Sequence, residues 1–147
     1  MNTKIDRKIS VIFATDVVDY SLHMEKDESG TVTSLRTYEK ILKEAFKKHG
    51  GRLFNTGGDS FMAEFSSAVK AVECAIDFQN IVKEKNIKPA LSFRIGINAG
   101  DVILEKKNLL GDGVNVAARL EQLAQPDGIT ISKSIFDYIE GKFCLLY

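Results

Sequence analysis

An excess of charge of either sign is missing: 20 Lys and Arg offset 20 Asp and Glu, a formal net charge of zero. Tracking a nucleic acid or an anionic membrane surface takes a basic excess, so neither is expected as the main partner. Long hydrophobic runs are missing too. None in the sequence approaches the roughly 18 residues of a membrane-crossing helix. The first eight residues have no apolar signal core behind them, so the expected location is cytoplasmic. Cysteine is scarce, and Cys74 and Cys144 lack the spacing of metal ligands. Cys74 falls in a helical apolar pattern and reads as a small core residue. His23 and His49 stand alone, and His49, just before Gly50-Gly51, reads as part of a helix C-terminal cap. What remains is 147 residues with an ordinary 44% apolar content, enough for one domain with a core.

Apolar spacing predicts the elements. Ile9-Ser-Val-Ile-Phe-Ala14 is nearly continuous and reads as a buried central strand, with Asp16 just past its end. Residues 17–24 read as an irregular or helical turn. From 31 to 49, Val32, Leu35, Tyr38, Ile41, Leu42, Ala45 and Phe46 recur with the period of an amphipathic helix. Residues 52–55 and 60–65 flank Thr56-Gly-Gly-Asp59 and read as a β-hairpin. Ser66 or Ser67 caps the next helix, which carries Ala68, Val72, Ala75, Ile76 and Val82 on one side. Residues 91–98 alternate as a strand, 99–101 turn, and 102–104 form a second strand. A helix at 113–124 stops near Pro126-Asp-Gly128, followed by a strand at 129–131 and a short helix at 133–140. The expected fold is α+β: a ferredoxin-like βαββαβ core with additional C-terminal elements, the sheet flanked by helices, in one domain over 1–147.

Two acids sit in similar settings. Asp16 follows the first strand and Asp59 lies in a Gly-Gly turn, each among small residues that let a polyphosphate approach the backbone. Asn115 and Arg119 are four residues apart and share one helix face. Mg²⁺ prefers oxygen ligands and keeps some waters, so two carboxylates plus phosphate suffice for it. A guanidinium fork fits phosphate oxygens better than an ammonium does. Together these four groups suit chemistry on a nucleoside triphosphate. Singly, each has a plainer reading as a turn acid, a cap or a surface ion-pair partner. Asp101 reads as such a turn residue.

Four segments carry a resemblance: Phe13-Ala-Thr-Asp16-Val-Val-Asp-Tyr-Ser21, Gly50-Gly-Arg-Leu-Phe-Asn-Thr-Gly-Gly-Asp59, Phe93-Arg-Ile-Gly-Ile-Asn-Ala-Gly-Asp-Val102 and Leu110-Gly-Asp-Gly-Val-Asn-Val-Ala-Ala-Arg-Leu-Glu121. In this order and spacing they resemble the catalytic domains of class III nucleotidyl cyclases, the adenylate and guanylate cyclase superfamily. The resemblance covers about residues 8–143. It implies conversion of a nucleoside triphosphate, ATP by default, to a 3′,5′-cyclic nucleotide and pyrophosphate with two divalent cations, Mg²⁺ or Mn²⁺. It also implies a head-to-tail homodimer with two interfacial sites. One protomer then holds the metal through Asp16, Asp59 and the Val17 carbonyl. The other orients the ribose with Asn115 and stabilises the transferred phosphoryl with Arg119. Val18, Asp19, Tyr20 and Ser21 are the implied phosphate-binding segment, through backbone N–H groups. A sensor or regulatory domain outside these residues is an implied partner.

Two positions depart from the family. Purine choice there usually rests on a Lys four before the second metal Asp and an Asp seven before the ribose Asn, or on Glu and Cys for guanine. Here the positions hold Asn55 and Asn108. An amide is both donor and acceptor, so a relaxed or unusual base preference is expected. Residues 143–147 read as the start of another strand, and the family normally continues with a strand pair carrying a phosphate-binding Lys. The alternative to an enzyme is a degenerate cyclase-like module for dimerisation or nucleotide sensing. A diguanylate cyclase is the weaker alternative, since Ser60 replaces the acid its Gly-Gly-Asp-Glu-Phe-type hairpin needs.

Overall fold

The computed structural model describes residues 5–142. In chain order the elements are β1 (Asp6–Val17), α1 (Tyr20–Lys26), α2 (Glu28–His49), β2 (Arg52–Gly57), β3 (Ser60–Phe65), α3 (Ala68–Glu84), β4 (Phe93–Glu105), β5 (Asn108–Leu110), α4 (Asp112–Leu123), β6 (Ile129–Ile131) and α5 (Lys133–Ile139). The strands form one sheet in the order β2-β3-β1-β4-β5, with β6 pairing β4. Every pairing is antiparallel except β4 with β6. The first four strands and the helices between them have the expected ferredoxin-like arrangement.

β1 is the centre of the sheet because its apolar run feeds two layers. Val11 and Phe13 pack with Leu35, Tyr38, Phe46 and Phe78 of α2 and α3. Ile12 and Ala14, pointing the other way, meet Val114 and Ala117 of α4. The Phe13 ring stands edge-on to Phe46 at 5.1 Å. Burying both faces is what a continuous apolar strand demands. Cys74 is fully buried in the larger layer, as its place in the helical pattern predicts.

Tertiary pairing redraws several boundaries. β1 runs through Asp16 to Val17, because β4 pairs with it along its whole length. The turn expected at 99–101 is absent: β4 is one strand, and Asp101 lies within it opposite Ile9, bonded by Arg7 at 2.9 Å. β5 has too few residues to show a period, and only its pairing with β4 reveals it. Ile76 is 41% exposed rather than part of the buried stripe. Gly50, in the left-handed region at φ 79°, caps α2, while the His49 ring reaches Asp77 of α3 at 3.0 Å. Ser67 is the serine that caps α3. Residues 143–147, including Cys144 and the strand expected there, lie outside the described residues. No helix among the described residues is long and apolar enough to cross a membrane.

Candidate active site

The two sequence-predicted acids meet because β1 and β3 are neighbours. Thr15 pairs with Phe61, so the end of β1 lies against the β2–β3 turn that carries Asp59. That turn closes between Gly57 and Ser60 with Gly58 at φ +65°, a backbone that primed hairpin turns require. The Val17 N–H donates to Asp59 Oδ2 at 3.2 Å. Burial pushes the Asp59 carboxyl above its ordinary range, its backbone hydrogen bonds oppose this, and the charge of Asp16 adds to the rise.

Asp16 is held by a second set of groups. It lies opposite Arg94 in the β1–β4 register. Arg94 donates through Nε to Oδ1 at 3.2 Å and through Nη2 to Oδ2 at 2.9 Å. The Gln122 Nε2 donates to the same Oδ2 at 3.2 Å. Gln122 also donates to Glu121 Oε2. Glu121 is 5% exposed, and burial, then the charge of Asp16, pushes its carboxyl up to about 8. The hydrogen bond to Asp16 keeps the Arg94 guanidinium above its ordinary value.

Glu121 predicts a pH dependence of stability. Its folded value of about 8 exceeds the ordinary 4.5, so its contribution is complete below about 4.5 and is lost as pH rises through about 8. The urea midpoint of the metal-free chain is expected to fall between about pH 5 and about pH 9, and Glu121→Gln to flatten most of that slope. An unchanged slope in Glu121→Gln contradicts the assignment.

Among the described residues, no three His, Cys, Asp or Glu side chains converge to hold an ion unaided. Asp16 and Asp59 therefore fit a hard, oxygen-seeking ion whose shell is completed by phosphate oxygens and water.

The remaining predicted residues are dispersed. Asn115 and Arg119 are exposed on α4, on the side away from the buried Val114, Ala117 and Glu121. Gly96 of β4 brings α4 close to the sheet, and Asn98 secures its N-terminal end by donating to the Gly113 carbonyl at 3.0 Å. The Val18 N–H is committed to the Ser92 carbonyl at 2.8 Å. Of the segment expected to bind phosphate, Asp19, Tyr20 and Ser21 thus stand at the start of α1, where helix N–H groups lack intrahelical partners. Asn55 is exposed on β2, and Asn108 of β5 is half-buried with its Oδ1 accepting from the Leu109 N–H at 3.0 Å. The β4–β5 hairpin folds towards β2, where Arg52 Nη1 reaches the Lys107 carbonyl at 2.9 Å.

Sequence reasoning missed Arg94, Glu121 and Gln122. Arg94 and Glu121 fall inside the third and fourth recognised segments, but nothing in a linear reading pairs them with Asp16. The β1–β4 register and the packing of α4 do that.

The chain and its fold have counterparts among known proteins. A family profile described as the adenylate and guanylate cyclase catalytic domain matches residues 1–145. The chain belongs to that family. Over 143 residues this cyclase domain is 43% identical to "Putative adenylate cyclase 3" of Rhizobium meliloti, covering 94% of the chain and 24% of the relative. A Streptomyces coelicolor protein named adenylate cyclase is 29% identical over 86% of the chain and 33% of its own length. The cyclase domain thus spans about a quarter of the first relative and about a third of the second. Among solved structures, an adenylate/guanylate cyclase/hydrolase from Silicibacter pomeroyi superposes with a TM-score of 0.86 at 32% identity, covering 95% of this chain and 84% of that one. The catalytic core of a rhodopsin-guanylyl cyclase, at TM-score 0.88 and 24% identity over 96% of this chain and 87% of its own, shares the fold.

Proposed function

We propose that this cyclase domain converts a nucleoside triphosphate, ATP by default, to its 3′,5′-cyclic monophosphate and pyrophosphate. The observation that carries the reading is the meeting of Asp16 and Asp59 at one end of the sheet, while Asn115 and Arg119 stand exposed on α4. The two carboxylates hold two divalent cations, Mg²⁺ or Mn²⁺, with the Val17 carbonyl as a further ligand. Bound there, the cations would supply the Lewis acidity that lowers the pKa of the ribose 3′-hydroxyl and offsets the charge of the triphosphate. The start of α1 offers the amides of Asp19, Tyr20 and Ser21 to the phosphates. Asn115 orients the ribose so that its 3′-oxygen faces the α-phosphorus. Arg119 stabilises the negative charge that builds as the bond to pyrophosphate breaks.

Two copies of the chain complete each site. Asn115 and Arg119 have exposed side chains that are free to reach a neighbour, and a head-to-tail homodimer brings them to the partner's Asp16 and Asp59. Asn55 and Asn108 face the base, and with amides at both positions the preference among bases is relaxed.

The test offers ATP, GTP, CTP and UTP separately with Mn²⁺ or Mg²⁺ and resolves the products by mass. A cyclic product from more than one nucleotide, reduced at least about 100-fold by Asp59→Ala, is the expected outcome. Cyclisation of ATP alone sinks the relaxed preference and leaves the cyclase reading standing. No product from any nucleotide, with the chain shown dimeric, favours the sensing module instead.

A further inference from the structure

The cyclisation reading gives Asp16 a role and leaves Glu121 without one. The Glu121 carboxyl group is almost fully buried, and a buried polar group needs partners to offset its desolvation. Its Oε2 takes the Gln122 amide and stands 3.9 Å from Arg94 Nη2, an ion pair too long to be a hydrogen bond. Arg94 is engaged with Asp16 instead. A carboxylate has about four lone-pair sites, and Arg94 and Gln122 already occupy three on Asp16. Asp16 thus has little coordinating capacity left while the guanidinium fork is in place.

We propose that Arg94 is a cationic placeholder at Asp16, displaced onto Glu121 when a divalent cation binds. The inference rests on the reading of Asp16 and Asp59 as metal ligands. Arg94 offsets the charge of the carboxylates in the metal-free protein and competes with the ion for Asp16. Glu121 is the second seat for the guanidinium, already placed beside it on α4. A shift of about 1 Å closes the Arg94–Glu121 gap to hydrogen-bonding distance. Both residues are positioning residues: they act through Asp16 and touch no reacting atom.

Mn²⁺ uptake by the chain without nucleotide, read from the loss of the electron paramagnetic resonance signal of free Mn²⁺, tests this. Competition predicts that Arg94→Gln lowers the Mn²⁺ dissociation constant at least about threefold. Arg94→Lys keeps the charge but loses the fork, so it must lower the constant as well. Glu121→Gln removes the second seat and raises the constant by about threefold or more. That rise must vanish in the double variant with Arg94→Gln, because no guanidinium remains to be relocated.

A simple field effect gives a different pattern. Arg94→Lys then binds like the wild type, and Glu121→Gln weakens binding equally in both backgrounds. Either result overturns the placeholder while uptake still depends on Asp59. Uptake unaffected by Asp59→Ala overturns the metal reading and the placeholder with it. If Arg94→Gln does not fold, the charge-preserving Arg94→Lys decides alone.

Discussion

Chains carrying Asp59→Ala and chains carrying Arg119→Ala, each inactive alone, are expected to recover about a quarter of wild-type turnover when mixed equally, from pairing statistics in a two-fold dimer. In a head-to-tail dimer one site takes its acids from the first chain and its Asn115 and Arg119 from the second. A mixed dimer then concentrates both defects in one site and leaves the other intact. Random exchange makes half of the dimers mixed, each with one working site of two. Turnover measured after mixing, against each variant alone, decides the point. No recovery after demonstrated subunit exchange places all four groups in one chain, and the interfacial site fails while the cyclase reading survives. The exposure of the Asn115 and Arg119 side chains on α4 motivates the experiment.

The largest stability effect is expected from Gly96→Ala. A methyl group at this position in β4 would stand 2.5 Å from the Ala117 main-chain oxygen and closer still to the Glu121 amide nitrogen. Both obstacles are backbone atoms of α4, so no side-chain rotation relieves the clash. The helix has to lift off the sheet, opening the layer formed by Ile12, Val102, Leu109, Val114 and Ala117. Overpacking of this kind costs about 3 kcal/mol or somewhat more. For a chain of this size that lowers the thermal midpoint by roughly 10 °C. Circular dichroism melts of the variant and the wild type measure it. A shift within about 1 °C would show that α4 slides at little cost. The same displacement moves Asn115, Arg119 and the Glu121–Gln122 pair, so turnover is expected to fall further than the loss of folded protein explains.

Much of this was legible in the linear sequence, and the reasons are local. The continuous run at 9–14 marked the central strand, since only a strand buried on both faces needs apolar residues at successive positions. The 3.6-residue period marked α2 and the serine cap marked α3. Asp16 and Asp59 stood out because small residues and glycines surround them. The errors fell where long-range pairing overrides local signals. Ala99-Gly100-Asp101 has turn composition, yet β1 pairs with it residue for residue and keeps it extended. Ile76 keeps the helical spacing of a core residue but stands on the flank of α3.

By itself the sequence determined the order of the βαββαβ core, the buried central strand, the family and the residue types suited to nucleotide chemistry. These depend on composition and short-range spacing, which a linear chain displays. Tertiary structure alone decided which groups meet. Arg94 is 78 residues from Asp16 and Gln122 is 106 residues from it, yet all three share one hydrogen-bonded cluster. The antiparallel register of β1 with β4 puts Arg94 opposite Asp16, and the close seat of α4 over Gly96 delivers Glu121 and Gln122. Neither register nor helix seat has a local sequence signature, because each is set by the simultaneous burial of surfaces far apart in the chain.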